Sequence, residues 1–257
     1  MRMYAEERHQ AIAGLMRENG RISVADLAER FGVTAETARR DLATLERSGL
    51  LRRVHGGAVA TTALSMVEPG IAERDRVRAA QKSDIAKAAT ALLPQDDGAV
   101  LLDAGTTTAR LASLLPVDRD LFVVTNSLGI AGRLAGVGRI ELRMLGGRVR
   151  GVTQACVGDE PVRALADLRL DVAFLGTNAV SARHGMTTPD PEEAAVKRAM
   201  VRSARQVVVL ADSSKLGQEQ LVRFATTGEV DTLVTDAEAG PDQLEALRDC
   251  GLEVVVA

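Results

Sequence analysis

Thr34-Ala35-Glu36-Thr37-Ala38-Arg39-Arg40-Asp41-Leu42 is the stretch that decides the fold of the N-terminal part of this chain. It predicts a helix that begins after Thr34, because the Thr34 hydroxyl can accept a free backbone N–H of the first turn. At 100° per residue, one face of this helix is apolar and consists of Ala35, Ala38, Leu42 and Leu45. The other face is polar and consists of Glu36, Thr37, Arg40, Thr44 and Arg47, with Arg39 at the border. Hydroxyl and guanidinium groups suit base edges and phosphates, although a solvated amphipathic helix alone would show the same pattern.

The flanking residues favour DNA binding over that alternative. Ser23-Val24-Ala25-Asp26 has the pattern of a helix start, and the short break Gly32-Val33 separates this helix from the next. A basic hairpin, or wing, is predicted at Leu50-Leu51-Arg52-Arg53-Val54-His55-Gly56-Gly57-Ala58; for its histidine, phosphate contact and simple turn packing are equally compatible with the sequence. The residues expected to contact DNA are Ser23, Thr34, Glu36, Thr37, Arg39, Arg40, Thr44, Arg52, Arg53 and His55.

The N-terminal part resembles the winged helix-turn-helix domain of the DeoR family of bacterial repressors. The resemblance is carried by Thr37-Ala38-Arg39-Arg40-Asp41-Leu42 and by the closing Arg53-Val54-His55-Gly56-Gly57-Ala58. It implies a DNA-binding domain over residues 1–58 and double-stranded operator DNA as the partner. Repressors of this type bind repeated sites as symmetric assemblies, so we expect a homo-oligomer, dimer or tetramer, held mainly by the rest of the chain.

Composition sets wider limits. The formal charge of the 257-residue chain is −3; residues 1–58 hold ten Arg, no Lys and eight acids, which gives +2 and leaves −5 for the remainder. Cys156 and Cys250 match no metal spacing and are expected to be buried, inert thiols, while His9 and His184 are expected at the surface or in turns. Arg2, Glu6, Glu7 and Arg8 interrupt any signal sequence, and no apolar run would span a bilayer, so we expect a soluble, cytoplasmic protein without membrane contact.

Taken in order, the chain predicts a helix over residues 5–19 with Ile12, Leu15 and Met16 inward, ended by Gly20. Residues 59–77 contain Pro69 and Gly70 without a sustained period and predict a linker. A long helix is then expected over residues 78–93.

Apolar runs and helical stretches alternate from there to the end of the chain. The predicted strands are residues 99–102, 121–124, 142–145, 172–175, 207–210, 232–234 and 252–256. The predicted helices are residues 108–115, 128–135, 162–168, 191–203 and 241–250. Strands without polar alternation are typical of a sheet buried on both faces, so we expect a mostly parallel α/β domain over residues 78–257.

Ligands of such folds bind beyond the carboxyl ends of the strands, and polar turns follow five consecutive predicted strands here. Asp103-Ala104-Gly105-Thr106-Thr107-Thr108 opens a helix, where free N–H groups and hydroxyls would cradle an anion, although a simple threonine cap would also explain it. Lys197 follows Glu193 by four residues, and an ordinary helix ion pair is the alternative for it. Together these turns predict a small, polyhydroxylated, anionic ligand. The candidate ligand-binding residues are Asp103, Gly105, Thr106, Thr107, Thr125, Asn126, Ser127, Gly146, Gly147, Asn178, Lys197, Asp212 and Lys215.

This second part also resembles the DeoR family, whose effector domain shares its fold with ribose-5-phosphate isomerase. The matching motifs are Asp103-Ala104-Gly105-Thr106-Thr107, Thr125-Asn126-Ser127, Gly146-Gly147 and Asp212-Ser213-Ser214-Lys215. The isomerase carries Asp-Gly-Ala-Asp-Glu where this chain has Leu175-Gly176-Thr177-Asn178-Ala179, so the acids that would act as a base are replaced. The resemblance therefore implies a repressor modulated by a phosphorylated sugar and no enzyme; the alternative is an isomerase or transferase with an added DNA-binding domain.

A finer resemblance concerns the effector. Val152-Thr153-Gln154-Ala155 and Gly176-Thr177-Asn178 look similar to fructose-operon repressors of high-GC Gram-positive bacteria, which implies fructose 1-phosphate. We expect no cofactor, because the sequence contains no nucleotide-binding or metal-binding motif.

Overall fold

The computed structural model of the chain describes residues 5–19, 21–47, 51–54, 56–60, 69–95 and 97–257. The chain forms two compact units, Met1–Val67 and Glu68–Ala257. After the functions that the sequence leads us to expect, they are called the DNA-binding unit and the effector unit. Gly20, predicted to end the first helix, and His55, predicted to contact DNA, lie outside the described residues.

The described part of the DNA-binding unit has the predicted order of helices followed by a wing. Its elements are α1 (Ala5–Asn19), β1 (Arg21–Ser23), α2 (Val24–Phe31), α3 (Ala35–Arg47), β2 (Leu51–Val54) and β3 (Gly57–Ala60). Gly32 ends α2 in the left-handed conformation, at φ 60°, which glycine adopts without a steric penalty. Thr34 caps α3 as predicted, since its Oγ1 accepts the backbone N–H of Thr37 at 3.2 Å.

The core of this unit confirms most of the predicted apolar faces. Its buried members are Ile12, Met16, Leu27, Ala38, Leu42, Leu45, Leu51 and Ala58, and Leu15 is buried as well. Ala35 was expected on the buried face of α3 but is exposed, because the first turn of this helix extends beyond the core.

Asp41 is a buried carboxylate on the inner side of α3, which the apolar pattern did not predict. It accepts hydrogen bonds from Arg8 Nε at 2.6 Å and Nη2 at 3.0 Å, and its Oδ1 lies 2.8 Å from His9 Nε2. Burial alone would raise the pKa of Asp41, but the bonds from Arg8 and His9 outweigh it and lower the pKa. The expectation that His9 is an isolated surface residue is therefore wrong, because α1 crosses α3 at this carboxylate.

The wing is a three-stranded antiparallel sheet in the order β1-β3-β2. The short strand β1 was not predicted, because three residues carry too little pattern. Gly57 is required where β3 lies beside β1, since an added Cβ would approach the carbonyl oxygen of Ile22 to 2.2 Å.

The effector unit contains the predicted alternation of helices and strands. Its described elements are α4 (Ile71–Arg76), α5 (Ala79–Ala89), β4 (Gly98–Leu102), α6 (Thr106–Ala112), β5 (Leu121–Thr125), α7 (Leu128–Leu134), β6 (Ile140–Met144), β7 (Arg148–Arg150), β8 (Ala155–Val157), α8 (Asp159–Ala166), β9 (Leu170–Gly176), β10 (Ala179–Ser181), β11 (Gly185–Thr188), α9 (Pro191–Ser203), β12 (Ala204–Leu210), β13 (Val222–Ala225), β14 (Thr232–Thr235), α10 (Pro241–Asp249) and β15 (Glu253–Val256). Three 3-10 turns, Thr90–Leu92, Ser213–Lys215 and Thr227–Glu229, complete the described elements.

All seven predicted strands lie in one parallel sheet, in the order β15-β14-β12-β9-β4-β5-β6. The inner strands are mostly buried on both faces, as the apolar runs predict, whereas the edge strands β6 and β15 are partly exposed. Val100 and Leu102 contact one core cluster with residues of α5, α6 and α7, whereas Leu101 contacts the other cluster with residues of α8, α9 and α10. The chain starts at the central strand β4, adds β5 and β6 on one side, and then returns to add β9 on the other.

Two small antiparallel sheets were not predicted. Strands β7 and β8 form one, and β10, β11 and β13 form the other in the order β10-β11-β13. Each of these strands has three or four residues, which is too short for a diagnostic apolar run. Cys156 in β8 is buried as expected, but Cys250 at the end of α10 is exposed, which corrects the prediction for that thiol.

The predicted linker over residues 59–77 is structured at both of its ends. Strand β3 continues to Ala60, and Ile71–Arg76 form α4, whose first N–H donates to the carbonyl of Val152 at 3.0 Å. The helix expected over residues 78–93 begins at Ala79, because Arg78 has φ 55° and separates α4 from α5. It ends as an α-helix at Ala89 and continues as the 3-10 turn Thr90–Leu92. The segment after the wing therefore belongs partly to the effector unit.

Candidate functional site

The exposed side of α3 presents the predicted guanidinium groups. The side chains of Arg39 and Arg40 are 60% and 79% exposed, and each lies near the Glu36 carboxylate, at 3.8 Å and 3.4 Å. Exposed ion pairs of this kind contribute little to stability, so both arginines can exchange this partner for DNA at small cost. Thr37 is half-buried at the start of the same face, with its Oγ1 2.9 Å from that of Thr34.

The other predicted DNA contacts have local roles as well. Ser23 Oγ accepts the Asp26 N–H at 3.0 Å and caps α2, and Thr44 Oγ1 donates to the Arg40 carbonyl at 3.0 Å. Arg53 in the wing donates to Glu46 of α3, at 2.7 Å from Nε, which fixes the wing against this helix. The side chain of Arg52 lies outside the described residues.

The effector unit brings candidate residues together where β4 and β9 lie side by side. Asp103 follows β4, and its Oδ2 accepts the Gly176 N–H at 2.9 Å and a hydrogen bond from Lys197 Nζ. Lys197 also donates to the Gly176 carbonyl at 2.9 Å and lies 5.4 Å from the ring of Phe224. The strand order reverses at this point, which is where doubly wound sheets bind their ligands.

Lys215 is the second ammonium group at this edge. Lys215 Nζ donates to the Thr177 carbonyl at 2.8 Å and lies 3.9 Å from Asp212 Oδ2. Lys197 and Lys215 thus donate hydrogen bonds to the carbonyls of two consecutive residues, 176 and 177. Burial lowers the pKa of Lys215 to about 8; the Asp212 carboxylate opposes this shift, and the nearby charges of Arg74, Lys82 and Lys197 add to it. This half-buried ammonium group thus lies close to other cations, which would attract an anion.

Three candidates after β5 hold the backbone of the neighbouring loops. Thr125 Oγ1 donates to the Leu102 carbonyl at 2.6 Å and accepts the Ser127 N–H at 3.1 Å. Asn126 accepts the Ala104 N–H at 2.9 Å and donates to the Cys156 carbonyl at 3.3 Å. Ser127 Oγ caps α7 by accepting the Ile130 N–H at 3.3 Å. These bonds tie the loops after β4 and β5 into one rigid edge.

The glycine and remaining amide candidates are explained mostly by backbone geometry. Gly147 has φ 125°, and an added Cβ would approach the Val157 carbonyl oxygen to 2.7 Å. Gly146 and Gly147 turn the chain from β6 into β7, and the described contacts do not join them to the lysines. Asn178 is held by its N–H bond to the Thr187 carbonyl at 3.2 Å. Gly105 is extended at φ 178°, so the nearby Thr108 hydroxyl, 3.0 Å from an added Cβ, and not the backbone angle restricts this position.

A cleft of about 390 Å³ borders the start of α6. The candidates Gly105, Thr106 and Ser127 contribute to its lining, and Thr107 is buried in the same turn of α6. The remaining lining residues are Ile71, Ala72, Asp75, Ala109, Arg110, Gly129 and Arg133. The cleft thus combines backbone and hydroxyl donors with guanidinium groups, which suits an anionic, hydroxylated ligand.

Several basic residues of this edge were not predicted. Lys82 of α5 is buried and donates to the carbonyls of Arg74 and Val77, and burial lowers its pKa. Arg78 donates to Ser213 Oγ at 2.7 Å and to Asp236 Oδ1 at 3.1 Å. A signal was present in the sequence, because Lys82 lies on the same helical face as the apolar residues Ile85, Ala86 and Ala89.

The helix predicted over residues 191–203 is α9, and Asp190 caps its start. Asp190 accepts the Glu193 N–H at 2.9 Å, with Pro191 at the first helical position. The contacts of Glu193 include Arg150 Nη1 at 3.1 Å and the Thr153 hydroxyl, whereas Lys197 contacts Asp103. Glu193 and Lys197 are thus both buried and have different charged partners.

Neither a metal-binding cluster nor a membrane-spanning helix occurs among the described residues. No group of three or more His, Cys, Asp or Glu side chains there has a metal-binding arrangement. Among the helices of the described ranges, none has the length and apolarity that crossing a membrane requires.

Known families match nearly the whole chain. Residues 8–63 match the DeoR-like helix-turn-helix domain, and residues 77–237 match the DeoR C terminal sensor domain. Among solved structures, ribose 5-phosphate isomerase A from Neisseria gonorrhoeae aligns with 52% of this chain and 52% of its own, at 16% identity and a TM-score of 0.38. That likeness is too distant to assign an activity.

Curated relatives agree with the family match along the full length. The uncharacterized HTH-type transcriptional regulator FruR of Bacillus subtilis (strain 168) is 37% identical over 92% of this chain and 93% of its own. The HTH-type transcriptional regulator GlpR of Haloferax volcanii is 36% identical over 98% of both chains. The HTH-type transcriptional repressor GlcR of Bacillus subtilis (strain 168) is 33% identical over 99% of this chain and 97% of its own. The chain therefore belongs to the DeoR family and is a DNA-binding transcriptional regulator, not an enzyme.

Proposed function

We propose that this regulator represses a sugar-utilisation operon and that a phosphorylated sugar, fructose 1-phosphate, changes the affinity of the regulator for operator DNA. It binds the operator as a homo-oligomer, dimer or tetramer, through α3 and the wing, in the cytoplasm where the operator lies. Support for the sugar class comes from the C-terminal sensor domain, and support for fructose comes from Val152-Thr153-Gln154-Ala155 and Gly176-Thr177-Asn178, which resemble fructose-operon repressors.

The surroundings of Lys215 carry the proposal of an anionic effector. Its ammonium group is largely removed from solvent, and the charges of Arg74, Lys82 and Lys197 lie close enough to lower its pKa, against the opposing effect of Asp212. A phosphate dianion at this edge would be attracted by these cations, while backbone N–H groups at the start of α6 would bind its oxygens. Free fructose has no such group and would bind far more weakly.

The hydroxyl groups of the sugar would meet the polar lining of the cleft. Ser127 and Thr106 border it directly. Asp103 and Asn126 are bonded to Gly176, Ala104 and Cys156, so we assign them mainly to holding the two loops in place. On this proposal, some polar residues at this edge of the sheet contact the ligand and others hold the backbone of the loops. These two roles together explain why so many polar residues occur there.

Fructose 1-phosphate is expected to change operator affinity in the parent protein, and the variants Thr107→Val and Lys215→Ala should need at least tenfold more of it. Each removes a group of the phosphate site and leaves the DNA-binding unit intact, and a charge-assisted contact is worth about 1.5–3 kcal/mol. Fluorescence anisotropy of labelled operator, titrated with ligand, measures this. Lys87→Ala is the control, because Lys87 is an exposed lysine paired only at the surface with Asp84. If both variants respond at the parent's ligand concentration, the phosphate site is elsewhere.

Ligand affinity should also fall about tenfold between pH 7 and pH 9, because Lys215, with a pKa of about 8, loses its charge over this range. The phosphate does not change, since its second pKa lies near 6. The contribution of Lys215 to the free energy of unfolding changes in the opposite direction. The unfolded chain keeps Lys215 protonated to a higher pH than the folded chain does, so this contribution rises as the pH increases above about 8. Calorimetric titration at each pH tests the affinity. Lys215→Arg should bind with little pH dependence; an equally steep loss in that variant would assign the titration to another group.

A further inference from the structure

The helix α4 forms one wall of the cleft that borders α6. Ile71, Ala72 and Asp75 contribute to the lining, opposite Gly105 and Thr106. A molecule in this cleft would therefore touch α4 as well as the start of α6. This helix is also the first element of the effector unit, reached from the last wing strand through residues 61–70.

Polar contacts connect α4 to the rest of the effector unit. Arg110 of α6 donates to the carboxylate of Asp75, and its Nη2 donates to the Asp75 carbonyl at 3.0 Å. The same guanidinium donates to the Thr106 carbonyl at 3.0 Å, so it bridges the two walls of the cleft. Lys82 binds the carbonyls of Arg74 and Val77 at the same, C-terminal end of α4. At the N-terminal end, the Ile71 N–H donates to the Val152 carbonyl at 3.0 Å.

These contacts matter because α4 has little intrinsic stability. It has six residues, none of which is buried, and its N-cap Gly70 offers no side-chain hydrogen bond. Helices of this length do not persist by themselves in water. Two residues after the end of α4, Arg78 holds a left-handed conformation, at φ 55°, that non-glycine residues rarely adopt. The order of α4 therefore depends on the polar contacts at its two ends.

An anion in the cleft would act on one of those contacts directly. Arg110 lines the cleft, so a phosphate there competes with Asp75 for the guanidinium, and its negative charge repels the Asp75 carboxylate. The bound ligand therefore favours a loosened α4 over the clamped one. Such a difference in ligand affinity between two arrangements is what a shift of population requires.

We propose that α4 is the switch element of this regulator: ligand in the cleft weakens the Arg110–Asp75 clamp, and the loosened helix changes the chain that leads to the wing. This inference rests on the proposed sugar-phosphate function. It assigns a regulatory role to a segment that the sequence had indicated to be a linker.

A matched pair of variants tests the role of α4 without altering the cleft. Glu73 is exposed on α4 and is absent from the cleft lining. Glu73→Gly and Glu73→Ala remove the same carboxylate, but glycine lowers the ratio of ordered to disordered helix about fivefold relative to alanine. Operator affinity is measured for both by anisotropy, with and without saturating fructose 1-phosphate, and binding of fructose 1-phosphate is measured by calorimetry.

Without ligand, the operator affinity of Glu73→Gly should differ from that of Glu73→Ala, in the direction in which ligand shifts the operator affinity of the parent. Ligand should then change the operator affinity of Glu73→Gly less than that of Glu73→Ala. Hydrogen exchange of the parent should show faster exchange of the amides of residues 71–77 when ligand binds. Identical operator affinities and identical ligand responses in the two variants, while the parent responds, would overturn the role of α4 alone. A parent that neither binds fructose 1-phosphate in calorimetry nor responds to it would overturn the proposed function, and the switch with it.

Asp75→Asn provides an independent check of the clamp itself. Loss of the carboxylate removes the repulsion by phosphate, so the ratio of operator affinities with and without ligand should fall at least threefold. Asp84→Asn, which removes an exposed carboxylate of α5 that pairs with Lys87, should keep the parent's ratio. Equal ratios in these two variants would contradict the clamp mechanism.

Discussion

Asp103→Ala should lower the free energy of unfolding of the effector unit by about 3–5 kcal/mol, the usual cost of leaving one partner of a buried ion pair uncompensated. Asp103 and Lys197 are both buried, and the same carboxylate oxygen also accepts the Gly176 N–H. The substitution strands an ammonium group and a backbone donor at the place where β4 and β9 meet. Urea denaturation followed by circular dichroism measures the loss.

Two further proteins make this prediction specific. Asp120→Ala breaks an ion pair with Arg139 in which both side chains are more than half exposed, so its effect should be far smaller than that of Asp103→Ala. The double variant Asp103→Ala/Lys197→Met removes both charges and should be more stable than Asp103→Ala alone, because no buried charge is left unpaired. Similar losses for Asp103→Ala and Asp120→Ala would show that the buried pair does not stabilise the sheet edge.

The second large effect concerns DNA. Arg40→Ala should weaken operator binding by about 1–3 kcal/mol, roughly 5- to 150-fold, if its exposed guanidinium pairs with a base in the major groove. The substitution should also relax sequence preference at one operator position in each half-site. The fold should be unaffected, since Arg40 contacts Glu36 only across an exposed pair.

Arg39→Ala is the matched comparison, because Arg39 lies on the border of the same helix face. We assign it to the DNA backbone, so its loss should reduce affinity evenly across operator variants and lower the slope of log affinity against log salt by about 1. Anisotropy titrations over several salt concentrations and single-base operator variants separate the two roles. An Arg40→Ala protein with the parent's affinity and preference would refute the assignment to base recognition.

Strong local signals account for what could be predicted. The seven predicted runs all became strands of one parallel sheet, since an inner strand covered on both faces needs apolar sequence. The cap at Thr34 was also predictable, because a cap involves residues three apart in the chain.

Signals were weak or absent where structure depends on distant partners. The five strands of the two small sheets are short and are stabilised by pairing with other strands, so no apolar run in the sequence predicts them. These strands are β7, β8, β10, β11 and β13. The helix α4 is ordered by Arg110 and Lys82, which its own sequence does not contain. Cys250 and Ala35 follow apolar patterns, but each lies at a helix end outside the core.

The sequence by itself determined the DeoR family, the two-part organisation, the parallel α/β class and the presence of polar turns after the strands. Only the tertiary structure decided which of those turns meet. Strand β4 pairs with β9, whose partner residues Val100 and Val172 are far apart in the chain, and this pairing brings Asp103 to Gly176 and Lys197. Strand order in a parallel sheet is set by long crossover connections and by the packing of whole faces, which no local pattern encodes. The same packing decided that Lys82 and α4, and not only the predicted motifs, lie at the edge where we place the effector.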